Sequence, residues 1–381
     1  MRGNGLRTLI HQPSWVFRHY VTRWPLQKRA PYSTTFSPLQ PDQVQLKVGS
    51  NGFINLDIYH PPQSPKANNP VVIYLPRGPV SPLNSPEPSS LQSLAAAANT
   101  TVVRLNYRLS KENRYPGPVH DVLAGYDWVV QHLLQAIPGK TDHDEFHKIA
   151  VCGEFIGGSL AAALGLTECH KNRAGVRTLV MGNPISDWTS MYTVAKSEKA
   201  FNIEETKTGR KKRAPKLPAW EAFANSSELP ISALLRARSN FFRLQEDYFD
   251  VFASPMLFFR TPARDVPPET DELDELFLMP ETVAQPPAKK RKSHRRYPPA
   301  DAELILPYTK ILVGKSCLLK DQGIELAEGI ARSNHSYGGP LGVGQGTGWE
   351  TVEVELQQGI GAWKENDLAE IGYFIRDTLK D

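Results

Sequence analysis

Residues 141–147 bring together side chains of the types that bind metal ions. The segment reads Thr-Asp-His-Asp-Glu-Phe-His and offers His143, Asp144 and His147 as ligands. No further ligand follows at a spacing that metal sites use, so we interpret the segment as a polar loop before a strand. We expect neither a metal ion nor a cofactor.

A glycine-rich run from Gly338 to Gly348 is a second segment whose composition could serve chemistry. Such loops cradle phosphates when a helix follows them and when they end in Gly-Lys-Ser or Gly-Lys-Thr. Here that ending is absent, and the residues that follow predict a strand. We therefore expect no nucleotide site.

The thiols of the chain are those of Cys152, Cys169 and Cys317. Three cysteines cannot all pair within one chain, and the sequence shows no secretory signal. We interpret them as reduced thiols in an intracellular compartment.

The net charge of +4 hides three strongly basic segments, at residues 1–41, 207–216 and 289–296. Setting aside the six Arg and Lys residues of the first segment leaves 38 basic against 40 acidic residues. A nearly neutral body is a poor platform for nucleic acid, so we expect no nucleic-acid partner. We interpret the tract at 289–296 as a solvated charge run, with a nuclear localisation signal or a polyanion patch as the alternatives.

Residues 1–41 contain no acidic residue and combine arginines with apolar residues at roughly helical spacing. This composition is typical of a mitochondrial transit peptide. The stretch Arg29-Ala-Pro-Tyr-Ser33 resembles a processing site, so we predict a transit peptide over residues 1–33 and a location in the mitochondrial matrix. A disordered basic tail and a cytoplasmic or nuclear location are the alternatives. No run approaches the about 18 apolar residues of a membrane span, so we expect none.

Short apolar runs alternate with helical patterns over residues 44–188 and 304–381, which we assign to one core domain. This alternation predicts an α/β fold, with a mostly parallel central sheet flanked by helices. Strands are predicted at residues 44–48, 53–59, 71–75, 101–105, 148–152, 178–181, 310–314 and 351–356. Helices are predicted at residues 91–98, 121–134, 157–166, 318–333 and 366–378.

Residues 189–303 interrupt this pattern and are predicted to form a cap-like insertion. Within it, residues 231–249 have the pattern of one or two amphipathic helices. Residues 261–299 are rich in proline and charge and poor in large apolar side chains, so we predict that they are mostly disordered.

Four motifs stand along the core, at residues 106–129, 153–161, 183–188 and 318–327. In type and order they resemble the hormone-sensitive-lipase-like branch of the α/β-hydrolase superfamily, a branch of esterases and lipases. The resemblance implies the α/β-hydrolase fold and acyl transfer. A serine on a sharp strand-to-helix turn attacks an ester carbonyl, a histidine accepts its proton, a carboxylate orients the histidine, and backbone N–H groups hold the oxyanion.

The nucleophile position of this pattern is occupied by Phe155, in Gly153-Glu-Phe-Ile-Gly157. A phenyl ring has no nucleophilic atom, so covalent catalysis from this position is excluded. The glycines that a sharp turn needs are still present, so we expect the backbone of the turn to persist. We interpret Ser159, inside the following helix, as a packing residue.

The acid and histidine positions also depart from the pattern that the resemblance implies. Cys317 stands where the acid is expected, and we interpret it as a buried, inert thiol, while Asp321 matches the family's second, structural aspartate. Gly361 is our assignment for the histidine position, and no histidine follows His335.

The oxyanion loop of the family reads His-Gly-Gly-Gly, and here the matching residues are Pro76-Arg77-Gly78-Pro79. Because proline has no N–H, Pro79 removes one backbone donor, while Gly78 and Ile156 keep theirs. The loss of a single such donor costs about 2.7–4 kcal/mol of transition-state stabilisation. We therefore expect Arg77, Gly78, Pro79, Phe155 and Ile156 to line a former substrate pocket.

Three functions remain open from the sequence. The leading one is a catalytically inactive esterase-like protein, a pseudoenzyme that binds a small apolar ligand or a protein partner, as plant gibberellin receptors of the same branch bind a hormone. The second is a carboxylic ester hydrolase with a non-standard active site, for which Cys317 is a candidate nucleophile. The third is an interaction protein that uses the basic insertion.

Overall fold

The structure is a computed structural model that describes residues 40–49, 52–62, 70–80, 87–134, 148–192, 217–262, 293–342, 344 and 346–380. The predicted transit peptide, the segment with His143 and His147, and the basic segment at 207–216 therefore lie outside the described residues.

A single sheet of eight strands forms the centre of the molecule, in the order β1-β2-β4-β3-β5-β6-β7-β8. The pairs β1/β2 and β2/β4 are antiparallel, and all other neighbours are parallel, which confirms the predicted mostly parallel sheet. The strands are β1 Asp42–Lys47, β2 Phe53–Tyr59, β3 Val71–Leu75, β4 Thr101–Asn106, β5 Lys148–Glu154, β6 Gly175–Gly182, β7 Tyr308–Gly314 and β8 Val352–Gln357.

Helices cover both faces of this sheet, as a parallel sheet requires. One face packs on α1 and α7, and the other on α2, α3 and α6. Gly372 permits close approach of α7 to α1, because a Cβ there would lie 2.6 Å from the Cβ of Ala97. The helices are α1 Gln92–Ala98, α2 Gly117–His132, α3 Phe155–Thr167, α4 Ala219–Ala222, α5 Ile231–Phe241, α6 Lys320–Ser333 and α7 Glu365–Lys380.

Two helices begin earlier than their sequence patterns predict. Helix α2 begins at Gly117 with Pro118 in its first turn, where the missing N–H of a proline costs no hydrogen bond. Helix α3 begins at Phe155 instead of residue 157 because β5 passes into it without a loop.

The described part of the insertion packs on the core through aromatic side chains. The ring of Trp188, which follows β6, stacks on Phe241 of α5 at a centroid distance of 5.8 Å. Of the segment 261–299, which the sequence predicts to be mostly disordered, residues 261, 262 and 293–299 are among the described residues. Tyr297 is buried there and donates to the carbonyl oxygen of Leu166 over 2.6 Å.

Buried ion pairs also fasten the insertion to the core. The Arg260 guanidinium donates to Asp187 Oδ2 over 2.7 Å and to Glu325 Oε1 of α6 over 2.8 Å. Asp187 also accepts from the backbone N–H groups of Thr189 and Ser190. The insertion therefore leaves the sheet beside the carboxyl ends of β6 and β7, where α/β proteins place their sites.

Candidate functional site

The turn between β5 and α3 has the backbone of a nucleophile elbow. Phe155, the first residue of α3, has φ of +49°, a left-handed value that is strained for a bulky side chain. A Cβ on Gly157 would lie 2.2 Å from the carbonyl oxygen of Pro76, and one on Gly153 would lie 2.5 Å from that of Gly157. The two glycines are thus required by close packing, as the sequence predicts.

The side chain at the top of this elbow is buried. Phe155 has no exposed surface and belongs to the main hydrophobic cluster of the protein. Its carbonyl oxygen accepts from the N–H of Ile185 over 3.4 Å. Phe155 therefore serves as a core residue in a strained backbone conformation.

Ser159, one turn into α3, does not replace the missing nucleophile. Its side chain is buried, and its hydroxyl donates to the carbonyl oxygens of Ile185 and Phe155. A hydroxyl held in this way joins the helix to the loop after β6, which agrees with its interpretation as a packing residue.

Cys317 lies at the carboxyl end of β7, where the resemblance places the acid. The residue is buried, and burial raises the pKa of its thiol to about 12. Because the thiol stays protonated at neutral pH, it is a weak nucleophile and cannot supply a negative charge. Asp321 accepts from the backbone N–H of Ala219 over 2.6 Å and so ties α4 to α6 in a structural role.

The loop after β8 contains Gly361, the residue assigned to the histidine position. Its φ is +65°, and a Cβ there would lie 2.9 Å from the backbone nitrogen of Gly314 at the end of β7. Asn183 links the loop after β8 to the end of β7. Its Nδ2 donates to the carbonyls of Ile360 and Gly361, and its Oδ1 accepts from the N–H of Gly314. The backbone here leaves no room for a side chain.

The loop after β3 packs directly on the elbow. Gly78 has φ of +73°, and a Cβ there would lie 3.3 Å from the Cβ of Ile156. Pro79 is exposed, and the N–H of Val80 donates back to the Gly78 carbonyl over 2.8 Å. The N–H of Ile156 lies in the first turn of α3, where helical amides have no partner within the helix. Gly78 and Ile156 therefore adjoin, as predicted for an oxyanion loop.

Arg77, one of the residues expected to line the former substrate pocket, points into the interior of the protein. Its side chain is buried, and its Nη2 donates to Glu154 Oε2 over 2.7 Å. The other carboxylate oxygen of Glu154 accepts from the backbone N–H of Trp363 over 2.7 Å. Glu154 thereby joins the oxyanion loop, the elbow and the loop after β8, which together would carry the chemistry of an esterase.

Glu154 is fully buried, and the loss of solvation raises the pKa of its carboxyl to about 7, although the neighbouring Arg77 opposes the rise. This buried pair is absent from the sequence-based prediction. The available signal was an arginine in place of a glycine of the His-Gly-Gly-Gly pattern, since a buried arginine requires a carboxylate nearby.

A second carboxylate holds the same loop from the other side. Glu87 Oε1 accepts from the backbone N–H of Arg77 over 3.2 Å and from the Tyr74 hydroxyl over 3.1 Å. Arg104 of β4 lies 3.6 Å from the same carboxylate. The oxyanion loop is therefore fixed through both its main chain and its side chain.

The most prominent cavities of the described residues do not include Phe155. A polar surface groove of about 400 Å³ is lined by residues 221–227 and Ser316, beside the acid position. An apolar cavity of about 10 Å³ lies between α2, α3 and Phe252. The first is open to solvent, and the second is too small for any ligand.

Within the described ranges, no group of three His, Cys, Asp or Glu side chains is arranged to hold a metal ion. In the same ranges no helix is long and apolar enough to cross a membrane.

A strained elbow between a parallel strand and a helix, with an adjoining glycine loop and the end of the last strand, is the arrangement of an α/β hydrolase. The family model described as alpha/beta hydrolase fold matches residues 80–239. The chain therefore has the α/β-hydrolase fold.

Curated relatives of this chain include a protein named as an esterase and an enzyme named for the conversion of tuliposide A. Esterase LipI of Mycobacterium tuberculosis is 33% identical over 136 residues, which cover 33% of this chain and 40% of that protein. Tuliposide A-converting enzyme 2 of Tulipa gesneriana is 33% identical over 101 residues, which cover 25% of this chain and 26% of that enzyme. The chain thus spans less than half the length of these relatives.

Solved esterase structures share the fold over nearly the whole chain. Carboxyl esterase 2 of Tuber melanosporum has a TM-score of 0.55 and 16% identity, with 91% of this chain and 89% of that chain covered. The carboxylesterase EstE1, cloned from a metagenomic library, has a TM-score of 0.54 and 18% identity, with coverages of 90% and 92%.

Proposed function

We propose that this chain is a catalytically inactive α/β hydrolase that acts by binding. The observation that carries the proposal is Phe155, which occupies the strained nucleophile position with its ring buried in the core. A left-handed conformation of a non-glycine residue costs about 1–3 kcal/mol. Phe155 has this conformation although its side chain has no nucleophilic atom.

The two other positions of a serine triad support the same proposal. Burial keeps the Cys317 thiol protonated, and the contact between Gly361 and Gly314 leaves no room for an imidazole. Each described histidine lies elsewhere, and none of them hydrogen-bonds to a serine or cysteine side chain in the described part of the chain.

A protein partner fits these observations better than a small apolar ligand. Among the described residues, the cavities lie away from Phe155, and Arg77 turns inward to Glu154. The ring of Phe155 and the side chain of Arg77 are thus packed within the protein. The remaining surface is available to a macromolecule.

Labelling of the purified full chain with a fluorophosphonate probe and with iodoacetamide, followed by peptide mapping, tests the proposal. The expected result is no fluorophosphonate adduct and no fast-reacting cysteine in the native protein. A single stoichiometric adduct that forms only in the folded chain would overturn it.

The second candidate is an ester hydrolase with a non-standard site, and the esterase names of the curated relatives favour it. In that case a residue other than Phe155 must attack the ester. Cys317 is the nearest candidate, and a Cys317→Ala variant that lost both labelling and turnover would establish it.

The mitochondrial location is likewise a proposal, because residues 1–33 lie outside the described residues. Their composition supports it. Fusion of residues 1–41 to a fluorescent protein is expected to direct it to mitochondria, and diffuse or nuclear fluorescence would contradict the proposal.

A further inference from the structure

Three of the protein's exposed large hydrophobic side chains lie within thirteen residues of one another, at the C-terminal end of α6. They are Tyr337, Leu341 and Trp349, with 38%, 43% and 45% of their surfaces exposed. We call residues 294–296, 332, 335–342, 344 and 346–349 the α6 corner. Clustered exposed apolar side chains mark interaction sites, whereas isolated ones are ordinary.

The loop of this corner is folded back on the end of α6. The N–H of Gly344 donates to the His335 carbonyl over 2.9 Å, and the Nδ1 of His335 donates to the carbonyl of Gly346 over 2.9 Å. Gly348 packs so closely that a Cβ would lie 2.0 Å from the Ala331 carbonyl oxygen. Leu341 and Trp349 are thus carried by backbone that is anchored at the same helix end as Tyr337.

Basic side chains belong to the same corner, and one of them contacts Tyr337. The guanidinium carbon of Arg296 lies 5.0 Å from the centroid of the Tyr337 ring, and the Nη1 of Arg332 lies 3.0 Å from the Nδ1 of His294. Arg295 is exposed beside them. In the described part of the chain, no carboxylate forms a salt bridge with Arg295, Arg296 or Arg332.

The acidic residues nearby do not cancel this charge. The Glu350 carboxylate accepts from the N–H of Thr347 over 3.0 Å, and Glu328 is exposed one turn before Arg332. Two carboxylates therefore face three arginines and two histidines, His294 and His335. An external anion would find cations that are not neutralised by the fold.

A second exposed tyrosine, Tyr373, also has an arginine over its ring, but without an excess of positive charge around it. Arg376 lies 5.0 Å from the centroid of the exposed Tyr373 ring, as Arg296 does from Tyr337. Arg376, however, also pairs with Asp377 over 3.2 Å. The tyrosine–arginine contact is common to both places, whereas the unbalanced charge and the neighbouring Leu and Trp belong to the α6 corner.

We propose that the α6 corner is a docking surface for an anionic lipid bilayer. Tyr and Trp side chains favour the interface between headgroups and acyl chains, Leu341 contributes apolar area below it, and the arginines meet lipid phosphates. Single-stranded nucleic acid is the less suitable occupant for two reasons. Its phosphates and bases gain no stabilising contact from the aliphatic Leu341, and Arg296 already lies over the Tyr337 ring on which a base would stack. The proposal is independent of whether the protein hydrolyses esters.

Flotation of the full chain with vesicles tests it. The chain is expected to float with vesicles of phosphatidylcholine and phosphatidylglycerol mixed in equal amounts, and to stay behind with pure phosphatidylcholine. Because each cation near such a surface contributes about 1 kcal/mol, an Arg296→Gln, Arg332→Gln variant is expected to bind about 30-fold more weakly. A Tyr337→Ala, Trp349→Ala variant is expected to lose binding at physiological salt.

The matched control is Tyr373→Ala, Arg376→Gln, which removes an equally exposed pair and is expected to bind as the wild type does. All of these side chains are on the surface, so circular dichroism is expected to show unchanged folding. Absence of flotation by the wild type, or equal loss in the control variant, would overturn the proposal. Binding to a single-stranded oligonucleotide without any binding to anionic vesicles would overturn it in favour of nucleic acid.

Discussion

The elbow end of the sheet and the α6 corner differ in what their arginines contact. Arg77 is buried and donates to Glu154, while Arg296 and Arg332 are exposed and have no salt-bridge partner in the described part of the chain. The guanidinium of Arg77 is thus paired inside the protein. Those of Arg296 and Arg332 are available to an external anion. The difference separates the proposed docking surface from the elbow between β5 and α3.

Among substitutions in the two regions, removal of the Glu154 carboxylate is expected to change the free energy of unfolding most. Glu154→Gln leaves the buried Arg77 guanidinium and the N–H of Trp363 with one acceptor oxygen between them, whereas even a protonated carboxyl offers two, and should destabilise the fold by about 3–5 kcal/mol. Arg77→Met should cost less, because Glu154 can take up a proton at a pKa of about 7, whereas an arginine stays charged. The free energy of unfolding in urea measures both. Equal losses in the two variants would contradict this order, because they would show that an unpaired Arg77 costs no more than an unpaired Glu154.

Substitution of Phe155 tests the elbow itself. Loss of a buried phenyl group costs about 3–5 kcal/mol, so Phe155→Ala should be clearly destabilised. Phe155→Gly should be more stable than Phe155→Ala by about 1 kcal/mol, because only glycine adopts a φ of +49° without strain. At ordinary helix positions the order of Gly and Ala is the reverse. Thermal and urea unfolding of the pair decide it, and the usual order would contradict the left-handed elbow.

The stability of the protein should also depend on pH through Glu154. Its pKa is about 7 in the folded protein against an ordinary value of 4.5, so the folded state binds the extra proton. Stability from this residue is therefore highest below pH 4.5, falls as the pH rises to about 7, and changes by no more than about 3 kcal/mol. Removing Arg77 should extend the fall to higher pH. The difference in unfolding free energy between wild type and Glu154→Gln across this range isolates the effect, and a flat difference would contradict it.

A substitution in the exposed α6 corner should change the free energy of unfolding least. Arg296→Gln is expected to alter the free energy of unfolding by less than about 0.5 kcal/mol, since its contacts lie in solvent. Urea unfolding under the same conditions as for Arg77→Met provides the comparison. A loss comparable to that of the buried variant would mean that the α6 corner is structural and not available to a partner.

Most of the sheet is predictable from the sequence, because a strand such as β3 is apolar at every position. Phe155, Cys317 and Gly361 are predictable as departures from a known pattern. The pair of Arg77 and Glu154 is not, because it joins residues 77 positions apart and depends on the sheet that brings them together.

Residues 293–299 show a related difference between composition and contacts. Their composition predicts disorder, but Tyr297 finds a buried partner in the carbonyl of Leu166, which is distant in sequence. Composition describes the average of a segment, whereas a single buried side chain is enough to fix its path.

Turnover of p-nitrophenyl butyrate by the purified full chain tests the central claim most directly. The rate of hydrolysis is expected to equal that in buffer alone at every protein concentration. Phe155→Ser is expected to remain inactive, because Cys317 in the acid position and Gly361 in the histidine position supply neither a carboxylate nor a base. Saturable turnover by the wild-type protein that disappears in Cys317→Ala would contradict the account.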